Sequence, residues 1–223
     1  MSTPRVLILG HSFIRRLHDF IERDSGQFDL TLHLTESAHI RWHGVGGRTI
    51  AKTIKFDLRI LHSFRPDIVI VQLGTNDLTS SPPLQVGSAM EDFVHLLHDS
   101  YGVKFVCVCQ TIRRRSSVVF NQRVDILTRY LRVVLEPIPY AIYWGHRGFW
   151  KARNGFFSAD GIHLNRRGQY KLYRSLRGAV LKSLQIFTSD GKQSFLLLLF
   201  IWIECHAVLL ILWTKPNPVC VSL

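Results

Sequence analysis

The stretch PDIVIVQLG, residues 66–74, constrains the fold more than any other. It is apolar on both faces that a strand presents, so it needs cover on both sides, as strands of a helix-flanked parallel sheet have. Four more short runs suit the same sheet: residues 5–10 (RVLILG), 28–35 (FDLTLHLT), 104–111 (KFVCVCQT) and 139–144 (PYAIYW). Helical patterns lie between them: near residues 12–24, after the glycines of GVGGRT, near 85–99 and over roughly 120–136. A last helix starts near Arg167, with Leu172, Leu176, Val180 and Leu184 on its apolar face.

Strand–helix alternation repeated in this way predicts an α/β fold with helices on both faces of the sheet. The expectation is a three-layer α/β/α arrangement, flavodoxin-like, with a five-stranded parallel sheet of order 2-1-3-4-5. In such a fold ligands bind beyond the carboxyl ends of the strands, which is where functional residues are to be sought. One domain over residues 1–189 and a hydrophobic tail over 190–223 account for the 223 residues.

The chain is basic, with 28 Lys and Arg against 16 Asp and Glu, a formal charge of +12. The charges of the tail cancel, so the excess belongs to the domain and favours anionic partners such as nucleic acid, anionic membranes or acidic substrates. Cys107 and Cys109 alternate along one strand and read as buried thiols, not as part of a disulfide framework. A reducing, intracellular setting fits this cysteine usage, and the amino terminus reads as a first strand in place of a signal peptide.

Four short motifs fall beyond strand ends or in late loops: Gly10-His11-Ser12, Gly46-Gly47-Arg48-Thr49, Gly74-Thr75-Asn76-Asp77 and Asp160-Gly161-Ile162-His163. Each has an ordinary reading. Ser12 precedes Phe13, Leu17, Phe20 and Ile21 at helical spacing and reads as an N-cap. The paired glycines suit a turn, and Asn76-Asp77 and Asp160-Gly161 suit loops. Taken together they supply the parts of an acyl-transfer site. His163 is the candidate base for the Ser12 hydroxyl, and Asp160 the carboxylate that holds the imidazole. The Ser12 amide, the Gly47 N–H and the Asn76 side-chain amide are the candidate oxyanion donors.

GHS, GGRT, GTND and DGIH, in this order, resemble blocks I, II, III and V of the SGNH (GDSL-type) hydrolases over about residues 5–187. The resemblance implies a serine nucleophile at Ser12, oxyanion donors at Ser12, Gly47 and Asn76, and a triad completed by Asp160 and His163. The family's spacing before the threonine favours Gly47 over Gly46. It implies hydrolysis of small-molecule, lipid or carbohydrate esters with no metal or organic cofactor. One position departs from the pattern: His11 stands where the family usually carries Asp. GHSF followed by Arg15-Arg16 also resembles esterase-like domains of LINE-type retroelement open reading frames.

Weaker signals point elsewhere. His95 and His98 lie one helical turn apart near Asp92 and Asp99, without the spacing of a zinc site. No GxSxG elbow surrounds Ser12, and no GxGxxG or Walker loop is present. Basic clusters at Arg15-Arg16, Arg113–Arg115, Arg147 with Lys151 and Arg153, and Arg166-Arg167 with Lys171 and Arg174 lie among aromatics. They are compatible with a solvated surface or with nucleic-acid contact in a protein whose catalysis is weak. Residues 195–213 (FLLLLFIWIECHAVLLILW) approach the ~20 apolar residues that span a bilayer, with Glu204 as an obstacle. They read as a C-terminal anchor or as an extension foreign to the fold.

Overall fold

The computed structural model describes residues 3–24, 26, 28–115, 117–149 and 154–213, with side chains through residue 189 except that of 154. The chain divides into two compact units, Met1–Leu184 and Gln185–Leu223. The first unit holds one five-stranded sheet of order β2-β1-β3-β4-β5, all parallel, as the alternation of strands and helices predicts. Its strands are β1 (Arg5–Gly10), β2 (His39–Gly44), β3 (Ile68–Gln72), β4 (Phe105–Cys109) and β5 (Ala141–Trp144). Between and after them run α1 (Ser12–Arg23), α2 (Ile50–Phe56), α3 (Arg59–Phe64), α4 (Pro83–Asp99), α5 (Val118–Val134) and α6 (Arg166–Trp213). Every residue of β3 and β4 is buried, which is why those runs are apolar without alternation.

The second strand is not where the sequence pattern puts it. Residues 28–35 form turns, and β2 begins at His39. Phe28, Leu32 and Leu34 are buried, as alternation demands. The backbone is nevertheless diverted by Asp29, whose carboxylate accepts the Thr31 N–H at 2.7 Å and whose carbonyl accepts the Leu32 N–H at 2.9 Å. Leu32 and His33 then adopt left-handed φ values of 55° and 52°, incompatible with a strand. β2 itself is an edge strand with no fully buried residue, so its HIRWHG sequence carries little hydrophobic signal.

The core on one face of the sheet packs Leu7, Leu9, Val69, Val71, Val106 and Val108 against α4 and α5 through Met90, Phe93, Val94, Val124 and Leu127. On the other face Phe13, Ile14 and Leu17 of α1 and Leu172, Leu176 and Val180 of α6 are buried. His95 and His98 are absorbed by packing: His95 Nδ1 lies 2.7 Å from the Tyr140 hydroxyl, and His98 stacks on the Tyr140 ring. Among the described residues no helix is long and apolar enough to cross a membrane. The side chains of 195–213, where an anchor was expected, lie outside the described part, as do Trp150, Lys151 and Arg153.

α1 crosses the end of β2 so closely that Gly44 admits no side chain. A Cβ there would sit 2.3 Å from the Arg15 nitrogen and 2.8 Å from the Ile14 carbonyl carbon. Gly44→Ala must therefore push helix and strand apart, at an expected cost of about 1–3 kcal/mol. The urea midpoint reads this directly, and an unchanged midpoint would mean that the contact is looser than described.

Candidate active site

The first three motifs follow β1, β2 and β3 at the same edge of a parallel sheet, so the topology gathers them. Ser12 is the first residue of α1, and it is not the cap. The cap is His11, whose carbonyl accepts the Ile14 and Arg15 N–H groups at 3.1 and 3.2 Å. Its Nδ1 accepts the Phe13 N–H at 3.4 Å. Because the imidazole takes the orphan donor that a serine would have taken, the Ser12 hydroxyl has no partner among the described residues. Its backbone N–H is likewise unpaired there, at the positive end of a helix dipole.

His11 is wholly buried. Burial, together with the charges of His163 and Arg114, pushes its pKa down to about 3, so the ring is neutral. With Nδ1 accepting, the proton resides on Nε2, which is buried without a partner among the described residues. Arg114 lies with its guanidinium over the Phe120 ring at 3.9 Å, and its Nε is also buried without a partner.

Asp160 and His163 sit on a loop closed at its base by a bridge between Phe157 and Leu164. Ser158 N–H donates to the His163 carbonyl at 2.7 Å, and Arg115 braces the loop from outside. Its backbone N–H donates to the Gly161 carbonyl and its guanidinium to the Ala159 carbonyl, each at 2.8 Å. Within the loop the Asp160 carboxylate meets His163 Nδ1 at 2.6 Å and accepts the Ile162 and His163 N–H groups at 2.9 Å each. Partial burial works to raise the Asp160 pKa, but these three donors outweigh it and hold the carboxyl at about 2. The His163 ring packs edge-on against Phe13, the neighbour of Ser12, with centroids 6.3 Å apart. Among the described residues no hydrogen bond joins His163 to the Ser12 hydroxyl.

The GGRT and GTND loops are tied together. Asn76 Nδ2 donates to the Arg48 carbonyl at 2.7 Å, and the Asp77 carboxylate accepts the Ile50 N–H at 2.9 Å. An amide NH2 carries two hydrogens, so Asn76 keeps one to offer elsewhere. Arg48 in turn forks onto Asp57 through Nε at 2.5 Å and a terminal nitrogen at 3.0 Å. The two glycines differ. A Cβ at Gly46 would meet the Arg15 guanidinium at 3.2–3.4 Å, whereas Gly47 has φ 73° and open space before it. Gly47 is thus the one with its face to solvent. The sequence reading gave no role to Arg48, Asp57, Asp77 or Arg115, although Arg48 and Asp77 belong to motifs and Arg115 to a noted basic cluster.

No family model and no curated protein matches the sequence. Solved structures do. A GDSL-like lipase from Bacteroides thetaiotaomicron superposes with TM-score 0.63 at 14% identity, over 82% of this chain and 93% of that one. A psychrotrophic esterase from Pseudoalteromonas gives 0.60 at 15%, over 81% and 98%. A lipase/acylhydrolase from Enterococcus faecalis gives 0.59 at 15%, over 80% and 95%. The fold is that of these lipases and esterases. At such identities the likeness carries the three-layer GDSL-type architecture and leaves the chemistry to the residues themselves.

Two buried histidines give the fold a pH signature. His146 Nε2 meets Gln72 Oε1 at 2.6 Å and its Nδ1 meets Ser175 Oγ at 2.8 Å, and burial pushes its pKa, like that of His11, down to about 3. A histidine lowered from about 6.5 stabilises fully above that pH and loses its contribution as pH falls toward 3. Stability should therefore drop below about pH 6.5, each histidine adding a slope of up to about 1.4 kcal/mol per pH unit. Asp160, depressed to about 2, acts only below about pH 4, so it adds nothing to the slope between about pH 6.5 and 4. Urea midpoints measured from neutral pH downward should show a shallower slope in His11→Gln, and an unchanged slope would contradict a buried neutral His11.

Proposed function

We propose that the chain is a serine esterase of the SGNH type. Ser12 attacks the ester carbonyl as His163 takes its proton through Nε2, and Asp160 holds the imidazole by Nδ1 and stabilises the imidazolium. The Ser12 amide, the Gly47 N–H and the spare Asn76 hydrogen receive the oxyanion. His163 then protonates the departing alcohol, and water deprotonated by the same ring resolves the acyl-enzyme. The observation that carries the reading is the 2.6 Å Asp160–His163 contact on a braced loop, with the ring packed against the neighbour of an uncommitted serine.

Hydrolysis of p-nitrophenyl acetate tests it. Ser12→Ala and His163→Ala should each lower kcat by at least about a thousandfold. Asn76→Ala should cost roughly 10²–10³ in kcat, as removal of one oxyanion donor does elsewhere. Full turnover by Ser12→Ala would overturn the assignment.

A second reading, nucleic-acid binding in a retroelement-type protein, is favoured by one feature. A cavity of about 820 Å³ lies between β5 and α6, lined by Arg147, Arg167, Lys171 and Arg174 with Trp144, Phe156 and Tyr170 and, among the described residues, by no carboxylate. Lys171 lies over the Phe156 ring at 5.2 Å and Arg174 over Tyr170 at 5.8 Å. Affinity for an oligouridylate should fall with salt, and Arg174→Gln should make the log–log slope shallower by about 0.7 while Ser12→Ala leaves it alone. No binding at low salt would remove this reading.

A further inference from the structure

The charge around the candidate nucleophile is unusual for a site that handles neutral esters. Of the carboxylates at the motifs and beside them, Asp160 is engaged by His163 and Asp57 by Arg48, while Asp77 accepts the Ile50 N–H through one oxygen and keeps the other buried without a partner among the described residues. The position before Ser12, an Asp in the family pattern, is a buried neutral histidine. Cations, by contrast, are left over. Arg15 is exposed one turn beyond Ser12, makes no ion pair with a described residue, and lies against Gly46 beside the open face of Gly47. Arg114 reaches His11 with its charge from behind.

A cleft of about 740 Å³ starts at this point, bounded by Arg15, Arg16 and Arg23 of α1 and by Leu164, the residue after His163. Of the two carboxylates in its lining, Asp24 is occupied by Arg166 at 2.6 Å, which leaves Asp19 facing three arginines. Gln169 also lines the cleft. It is only 6% exposed, and its side-chain oxygen has no partner among the described residues. That oxygen only accepts, so it is completed by a hydroxyl or N–H of a ligand and not by the anionic group itself.

We propose that this cleft is an anion subsite of the hydrolase, and that the enzyme selects esters carrying a phosphate or carboxylate, with Arg15 as the specificity-determining cation. The inference rests on the esterase reading above. An anionic group seated by Arg15 places the ester carbonyl over the Ser12 end of α1, where the helix dipole adds to the attraction. Because Arg15 is exposed, the attraction is screened by salt over a Debye length of about 10 Å at moderate ionic strength.

The test compares mono-p-nitrophenyl succinate with p-nitrophenyl butyrate, esters alike in acyl length and leaving group, and 3-acetoxybenzoate with its methyl ester. The first pair carries the charge on the acyl side and the second on the alcohol side. One pair should show a kcat/KM preference of roughly five- to tenfold for the anion, the size expected for one charge a few ångströms away in a half-solvated site. Arg15→Gln should bring that ratio near unity and Arg15→Glu should invert it, while Arg129→Gln, an exposed arginine on α5, leaves it unchanged. Equal rates for both members of both pairs in the wild type, or a preference that survives Arg15→Glu, would overturn the subsite. Binding of butyl phosphate, read as a thermal shift, needs no turnover and separates the two claims. If no ester is hydrolysed yet butyl phosphate stabilises the wild type and not Arg15→Gln, the esterase reading fails and the subsite stands. Equal shifts in the two proteins overturn the subsite whatever the activity.

Discussion

Parallel pairing of β1 with β2 on one side and β3 on the other places Gly10 opposite both Gly44 and Gln72. Everything at the candidate site depends on that register. It brings three successive strand ends to one level, so that the turn into α1, the GGRT loop and the GTND loop emerge side by side. The missing side chain at Gly44 lets α1 lie against the end of β2, which sets Arg15 over Gly46. A shift of one residue in β2 would replace that contact with the side chain of His43 or Val45. The loop of Asp160 and His163 comes from a distant part of the chain and is held by Arg115, which follows β4 in sequence.

The electrostatics of the site follow from one substitution in the pattern and from what its neighbours do with their charges. His11 caps α1 through a ring nitrogen and stays neutral chiefly because it is buried. An aspartate there would bring a negative charge to the side of Ser12; the histidine does not. Asp57 is paired with Arg48 and Asp160 with His163, and Asp77 accepts the Ile50 N–H through one oxygen. The basic composition of the chain is therefore not uniform decoration. Arg48, Arg113 and Arg166 are neutralised by Asp57, Asp125 and Asp24, and Arg115 is spent on backbone carbonyls, whereas Arg15 makes no ion pair among the described residues.

Elements buried on both faces were readable from sequence, and of the two edge strands β5 was and β2 was not. β3 and β4 announce themselves because burial on two sides demands unbroken apolar runs. β2 is half-exposed and announces nothing, while residues 28–35 imitate a strand because turns can bury alternate residues as well as a pleat can. At the candidate site, the short motifs pick out the residues proposed for the chemistry. The bracing contacts of Arg115 with the Ala159 carbonyl and of Arg48 with the Asp57 carboxylate join groups whose pairing has no local periodicity, so no window of sequence reveals them. The helix cap was misassigned by one residue for a related reason: histidine is an uncommon cap, and only the fold shows its Nδ1 turned toward the Phe13 N–H.

A phosphonate probe, which is attacked by an activated serine hydroxyl, is the most direct test of the central claim here. The measurement is the site and rate of labelling of the full chain by a fluorophosphonate, mapped by peptide mass spectrometry. The account predicts a single adduct on Ser12, formed much more slowly in His163→Ala and Asp160→Asn, both of which remain folded. An adduct on another residue, or labelling of Ser12 at the same rate without His163, would contradict the assembly of these motifs into one site.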